Sequence, residues 1–298
     1  MEPIMRVQQL SKTIKGRMIL KGITFDVSLG ECVALIGQNG AGKSSLLACI
    51  VGDWLADSGK ISINGLPPKS KVLKGRVAVL SQENTIPSHL RVEELITFFR
   101  SIATRPLSQE VIRSYLAFEE ESYHQLASKL SGGQKRLLAF VLCLIGTPDM
   151  LVLDEPTAGM DTSTRQRFWK IIDQLKAQGI TILYSSHYIE EVEHTADRIL
   201  VLQKGGLVRD TTPFDMRYQE RIHQLTLPLI YLDVIKDRQD IYDLRLKKDC
   251  FECKTRQLET LWQELKEVIP ITAIDIQHKT LLDTLFEVGK EAEDESIA

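Results

Sequence analysis

The sequence predicts an α/β protein: a mostly parallel sheet with helices on both faces, a helical insert, and a smaller α+β unit after it. Three observations carry this expectation. Cys32–Ile36 and Met150–Leu153 are short, continuous apolar runs, as expected of strands whose two faces are both covered by helices. Between about 88 and 128 the apolar residues switch to helical spacing. Residues 1–210 alternate strand and helix, and the alternation returns in miniature from about 225 to 288 after a polar stretch, DTTPFDMRYQERIHQ.

The elements follow in order. The run Cys32–Ile36 leads into glycines and then into a helix with Leu46, Leu47, Ile50 and Val51 on one side, a strand, loop and helix. Ile61 and Ile63 alternate with polar residues ahead of Asn64-Gly65, which predicts a hairpin. Val92, Leu95, Ile96 and Phe99 form one helical stripe, and Val111, Ile112, Tyr115 and Leu116 another. A helix over 163–178 buries Phe168, Ile171, Ile172 and Leu175, with Gly179 as its stop. In the last unit, 245–254 reads as a strand and Leu258, Leu261, Trp262, Leu265 and Val268 as one helical stripe. Residues 271–276 read as a second strand, and 281–286 as a closing helix.

A chain of 298 residues, 43% hydrophobic, is long enough for one sizeable core and a smaller one. The expected division is a domain over 1–215, with a helical subdomain at about 84–135, an accessory domain over 225–290, and an acidic tail over 291–298. Lys plus Arg total 37 against 40 Asp plus Glu, so charge gives no reason to expect a nucleic acid partner. No apolar run reaches the length of about eighteen residues that spans a bilayer, and the first residues lack a signal-peptide layout. A cytoplasmic chain is the expectation. The five cysteines read as reduced thiols; Cys250 and Cys253 form a C-x-x-C without a second pair to complete a zinc set.

Chemistry concentrates in three places. Gly37, Gly42, Lys43 and Ser44 fit G-x-x-x-x-G-K-[ST] in the strand-loop-helix setting that motif requires. The loop Gly37, Asn39, Gly40, Ala41, Gly42, with Ser45 after it, turns backbone N–H groups and a helix start toward phosphates. Lys43 adds a mobile charge, and the Ser44 hydroxyl suits Mg²⁺. Asp154 and Glu155 end the run Leu151-Val152-Leu153 at the C-terminal sheet edge, where open α/β sheets bind ligands. There Asp154 would hold the metal and Glu155 would act as general base. Leu130-Ser131-Gly132-Gly133-Gln134 opens an apolar helix and offers a second anion-binding helix start.

That pentapeptide, with the phosphate loop, resembles the ABC-type ATPases, in which the pentapeptide of one subunit covers the γ-phosphate held by the loop of the other. The resemblance spans roughly residues 5–215 and implies a RecA-like P-loop core with ATP and Mg²⁺ as cofactors. It also implies a second ATP-binding subunit, in a homodimer or heterodimer, transmembrane permease subunits, and a place on the cytoplasmic face of the membrane. Gln82 matches the glutamine that senses Mg²⁺ and the attacking water. Asp161, in Ala158-Gly159-Met160-Asp161, matches the aspartate that communicates across the dimer, and His187 matches the switch histidine at the γ-phosphate. One position departs from the pattern: Ile14 stands where relatives carry an adenine-stacking aromatic residue.

The stretch His187-Tyr188-Ile189-Glu190-Glu191-Val192-Glu193, with Ala196-Asp197-Arg198, looks like the drug, antibiotic and ion exporter branch. The ending Leu281-Leu282-Asp283-Thr284-Leu285-Phe286 resembles the finish common there. The resemblance thus implies an ATPase subunit that powers export. The rival is a soluble ABC ATPase acting on ribosomes or nucleic acid. Such proteins usually fuse two ATPase units, insert a long coiled coil or carry zinc modules, and this chain has one unit and only 48 residues from Gln82 to Leu130.

Overall fold

The computed structural model describes residues 3–82, 86–218 and 222–279, in two compact units that divide between Pro213 and Phe214. The first unit runs β1 (Met5–Ile14), β2 (Arg17–Val27), β3 (Cys32–Ile36), α1 (Lys43–Ile50), β4 (Ser58–Ile63) and β5 (Val77–Leu80). The helices α2 (Val92–Ile102), α3 (Gln109–Leu116), α4 (Glu120–His124) and α5 (Gly132–Leu144) follow. Then come β6 (Met150–Leu153), α6 (Thr162–Ala177), β7 (Thr181–Ser186), α7 (Ile189–Thr195), β8 (Arg198–Gln203) and β9 (Gly206–Thr211).

Six strands form one sheet in the order β5-β6-β7-β3-β8-β9, parallel except for the β8–β9 pair. Every residue of β3, β6 and β7 is buried. This is why these strands read as unbroken apolar runs: helices cover both faces, leaving no solvent side to alternate with. A second, antiparallel sheet, β2-β1-β4, packs with α1 on the first; Val7, Leu20, Phe25, Leu46 and Ile50 meet Val33, Leu35 and Leu200 in one core.

The parallel register sets the geometry of everything that follows. Ile36 pairs with Ser186, Leu153 with Tyr184 and Leu80 with Leu153. Five chain segments therefore leave the sheet at one edge: the loop after β3, and the residues after β5, β6, β7 and β8. In a parallel sheet all C-terminal strand ends lie on the same side, so residues far apart in sequence are gathered there.

The hairpin expected at Asn64-Gly65 is only partly present. Both residues have positive φ, +50° and +73°, as a tight turn requires, and Ile63 and Leu66 exchange backbone hydrogen bonds. No strand follows Leu66, because β4 pairs with β1 instead. In the helical region Leu95, Ile96, Ile112, Tyr115 and Leu116 are buried, whereas Phe99 and Val111 are half-buried.

The second unit contains α8 (Pro213–Tyr218, begun at the boundary), β10 (Ile222–Pro228), α9 (Leu232–Ile235), β11 (Ile241–Leu246), β12 (Cys250–Thr255), α10 (Leu258–Leu265) and β13 (Asp275–Lys279). Its antiparallel sheet has the order β11-β12-β10-β13. Leu225, Leu227, Ile235, Phe251, Cys253, Leu261, Leu265 and Ile269 form its core.

Three sequence expectations need correction here. Residues 245–254 are not one strand but the end of β11, a turn and most of β12; Lys247 donates its N–H to Cys250 across that turn. Residues 271–276 begin as a 3₁₀ turn, and β13 starts only at Asp275. Val268 lies beyond α10 and is exposed, and the buried residue there is Ile269. The helix expected at 281–286 and the acidic tail lie outside the described residues.

Cys250 and Cys253 stand three apart on β12, an odd spacing that sends the side chains to opposite faces. Cys253 is in the core, its thiol pushed up to about 12 by burial, and Cys250 is half-buried on the other face. The pair cannot clamp one metal ion between them.

Candidate functional site

At the gathered sheet edge the loop after β3 carries the phosphate-binding motif. Gly37 follows Ile36 directly and has no room for a side chain, since a Cβ there would sit 2.3 Å from the backbone oxygen of Leu202 on the neighbouring β8. Gly40 and Gly42 have φ of +80° and +106°, the left-handed conformations through which the loop curls into α1. No side chain caps the N-terminus of α1, so the first-turn N–H groups are left without a side-chain acceptor. Asn39 and Gly40 are exposed, Ala41 and Gly42 buried, Ser44 exposed and Ser45 half-buried.

Lys43 is buried and folded back on its own loop, its Nζ donating to the carbonyls of Gly37 at 2.7 Å and Gln38 at 3.3 Å. Burial lowers the pKa of its ammonium group, while Glu155 and Asp154 oppose that shift. A charged amine held only by two carbonyls and a distant carboxylate suits an anion that would replace them. The uncapped helix start and the curled loop provide the matching cradle, so the residues present fit a polyphosphate.

The ends of β6 and β7 supply the acids. Ser185 Oγ donates to Asp154 Oδ1 at 2.5 Å and accepts the N–H of Glu155 at 2.8 Å, so one hydroxyl orients both residues. Glu155 has φ +43°, a left-handed conformation that costs a non-glycine residue about 1–2 kcal/mol. Its carboxylate Oε1 lies 4.0 Å from Lys43 Nζ and 3.5 Å from His187 Nδ1. Lys43, Asp154, Glu155 and His187 thus meet at one point, brought there by β3, β6 and β7. Ser44 and Asp154 offer the hard oxygen donors Mg²⁺ prefers, and exposed Gln82 is a third oxygen donor on the segment after β5.

Ser131 caps α5. Its Oγ accepts from the Gln134 N–H at 3.1 Å, and Gln134 Oε1 accepts the Ser131 N–H at 3.0 Å, a reciprocal capping box. Among the described residues no hydrogen bond or ion pair joins Ser131 to Lys43, Glu155 or His187. Exposed Gly132 and buried Gly133 lie instead against the loop before α6: a Cβ on Gly133 would come within 3.2 Å of Met160 Cα and 3.4 Å of Asp161 Oδ2. Asp161 caps α6 in turn, accepting from Thr164 N–H at 3.0 Å, Thr164 Oγ1 at 2.9 Å and Ser163 Oγ at 2.7 Å. Those bonds hold its carboxyl well below the usual carboxylate range.

Several residues here escaped the sequence reading. Ser185 was visible only as a neighbour of His187. Arg136, one turn into α5, is buried and points its guanidinium at five main-chain carbonyls of the segments carrying Gln82 and Glu155. Glu191 of α7 accepts from Thr157 Oγ1 at 3.0 Å and pairs at 3.3 Å with Arg165 of α6, whose guanidinium also lies over the Tyr188 ring. A lone arginine in an apolar helix is a sequence signal for such a role; its acceptors, being backbone, leave none.

Comparison with known proteins bears on what this arrangement is. The profile of the ABC transporter family matches residues 20–158. The Nod factor export ATP-binding protein I of Rhizobium sp. (strain N33) is 35% identical over 211 residues, covering 68% of this chain and 69% of that protein. The chain belongs to the ABC transporter ATP-binding family. The Nod factor export ATP-binding protein I of Burkholderia pseudomallei (strain 1710b) is 34% identical over 212 residues, with 69% of this chain and 70% of that protein covered. Among solved structures, an ATP-binding subunit of an ABC transporter superposes with a TM-score of 0.65 at 27% identity, over 72% of this chain and 92% of that one. The cbiO1 protein of Clostridium perfringens, part of the ABC transporter complex cbiONQ, gives 0.62 at 26%, over 72% and 90%. This ABC protein is therefore an ATP-binding subunit and an ATPase, built on the RecA-like P-loop core that its motifs imply. Subunits of this family dimerise and work with transmembrane components. Among the described residues no helix is long and apolar enough to cross a membrane.

Proposed function

We propose that this ATPase powers export of a substrate through a separate membrane permease, from the cytoplasmic face of the membrane. The observation that carries the reading is the meeting of Lys43, Glu155 and His187 at the sheet edge, in a chain whose curated relatives are named for export. Two subunits pair head to tail, and each site takes Lys43, Ser44, Gln82, Asp154, Glu155 and His187 from one chain and Ser131 and Gly133 from the other.

On ATP binding Lys43 leaves the carbonyls of Gly37 and Gln38 for the phosphates. Ser44, Asp154 and Gln82 would hold Mg²⁺, which would supply positive charge to neutralise the phosphates. The Glu155 carboxylate takes a proton from water as the water oxygen bonds to the γ-phosphorus and the bond to the ADP oxygen breaks, while His187 holds the γ-phosphate. Relaxation of the closed pair after hydrolysis moves the helical inserts and the permease with them. Affinity purification from detergent-solubilised membranes tests this: a multi-span protein is expected to come along, and recovery with ribosomes instead would overturn it.

Ile14 gives a second test. It lies at the end of β1, paired with Arg17 of β2, half-buried and without an aromatic face to offer a base. Ile14→Tyr is expected to tighten ATP binding about two- to tenfold, an aromatic contact being worth about 0.5–1.5 kcal/mol beyond burial. Affinities for ATP and GTP in both proteins check this, and the mutant should widen the preference for ATP. A mutant that binds no better places the base elsewhere.

A further inference from the structure

Arg136 is 8% exposed, yet among the described residues none of its hydrogen bonds goes to a carboxylate. Nη1 donates to Ser81 O at 2.5 Å and Gln82 O at 3.1 Å. Nη2 donates to Asp154 O at 2.7 Å and Glu155 O at 3.2 Å, and Nε donates to Pro156 O at 3.2 Å. All three nitrogens of the guanidinium are therefore engaged, with two separate segments, one after β5 and one after β6. Burying a charge on neutral acceptors is an expensive way to fill space, and an apolar side chain of similar volume would serve the packing as well or better. What only a planar fork of donors can do is hold both segments in one geometry.

The two segments are the ones that carry Gln82 and Glu155. The strained backbone of Glu155 is gripped on both sides, its N–H by Ser185 and its C=O by Arg136. Left-handed non-glycine residues persist where the surroundings over-determine them. Arg136 also stands five residues after Ser131 on a single helix, so any tilt of the α5 N-terminus is carried to those carbonyls.

We propose that Arg136 is a positioning residue that makes placement of Glu155 and Gln82 in one subunit depend on the attitude of its own α5. When the α5 N-terminus engages the nucleotide held by the second subunit, the same helix sets the base for the nucleotide held by its own. The proposal rests on the reading of Glu155 as base and of Ser131 and Gly133 as facing the other subunit's ATP.

The test uses the full chain with Arg136→Lys and Arg136→Met, and Glu155→Gln in parallel. Lysine keeps charge and length but offers a point donor, and methionine keeps bulk without donors. Both variants are expected to fold and to bind a fluorescent ATP analogue within about twofold of wild type, with kcat lowered about 10- to 100-fold, as misplacing a catalytic group by about 1 Å does. Wild-type turnover in both, beside an inactive Glu155→Gln, would overturn the role of Arg136 alone. An active Glu155→Gln would overturn the base assignment beneath it. Binding and kcat falling together with the folded fraction, or failure of both variants to fold, would make Arg136 merely structural and overturn the proposal.

Discussion

Replacing Glu155 by glutamine is expected to abolish ATP turnover while ATP binding and an ATP-dependent dimer persist. Loss of a positioned general base costs about 10²–10⁴ in rate. Glutamine has the same shape, so the bond from the residue 155 N–H to Ser185 Oγ at 2.8 Å and the left-handed backbone are both retained. The carboxylate 4.0 Å from Lys43 and 3.5 Å from His187 is what disappears. A γ-phosphate arriving beside Lys43 then meets a neutral amide rather than a second anion, so binding is not weakened. Phosphate release, nucleotide titration and gel filtration with ATP check the three parts. Hydrolysis near the wild-type rate would remove Glu155 from the chemistry.

Gly37→Ala is expected to damage both the fold and the nucleotide site, whereas Gly40→Ala costs stability and leaves the loop in place. Gly37 does not need an unusual φ; it needs the absence of a Cβ, which would lie 2.3 Å from Leu202 O and 3.1 Å from Ala41 Cβ. That oxygen belongs to β8, held against β3 through the pairing of Ile36 with Val201, so the loop must give way. Overpacking of this kind costs about 1–3 kcal/mol. The displaced loop carries the backbone N–H groups that would face the phosphates, and losing two such hydrogen bonds of about 1 kcal/mol each weakens ATP binding by about tenfold or more. Gly40, at φ +80° with open space around it, would bring only the backbone penalty of about 1–2 kcal/mol and no displacement. Thermal melts and ATP titrations of the two variants side by side check this; equal damage from both would place the cause in flexibility rather than space.

Much of the second unit was illegible in the sequence for a definite reason. The turn between β11 and β12 runs Lys247, Lys248, Asp249, without glycine or proline, and its side chains are as plausible on an edge strand as in a turn. Lys247 pairs with Glu252 across the turn, a contact that exists only once the strands are side by side. The Asn64-Gly65 signal marked a real turn, but pairing of β4 with β1 decided that no strand followed. Turn chemistry is local, whereas strand partners are chosen from the whole chain.

The runs of β3 and β6 and the curled glycine-lysine loop between β3 and α1 were legible in the sequence alone. Both depend on contacts within a few residues: glycines that let a loop curl, a lysine at the helix start, apolar runs with no solvent side. It takes the folded chain to show that Ser185 orients Asp154 and Glu155, that Glu155 is held at φ +43°, and that Arg136 joins the segments at 81–82 and 154–156. The acceptors of Arg136 are backbone carbonyls, which every residue possesses, so no side-chain pattern announces them. The segments come together because parallel pairing of β5, β6, β7 and β3 brings all their C-terminal ends to one edge, and that pairing is a property of the folded sheet.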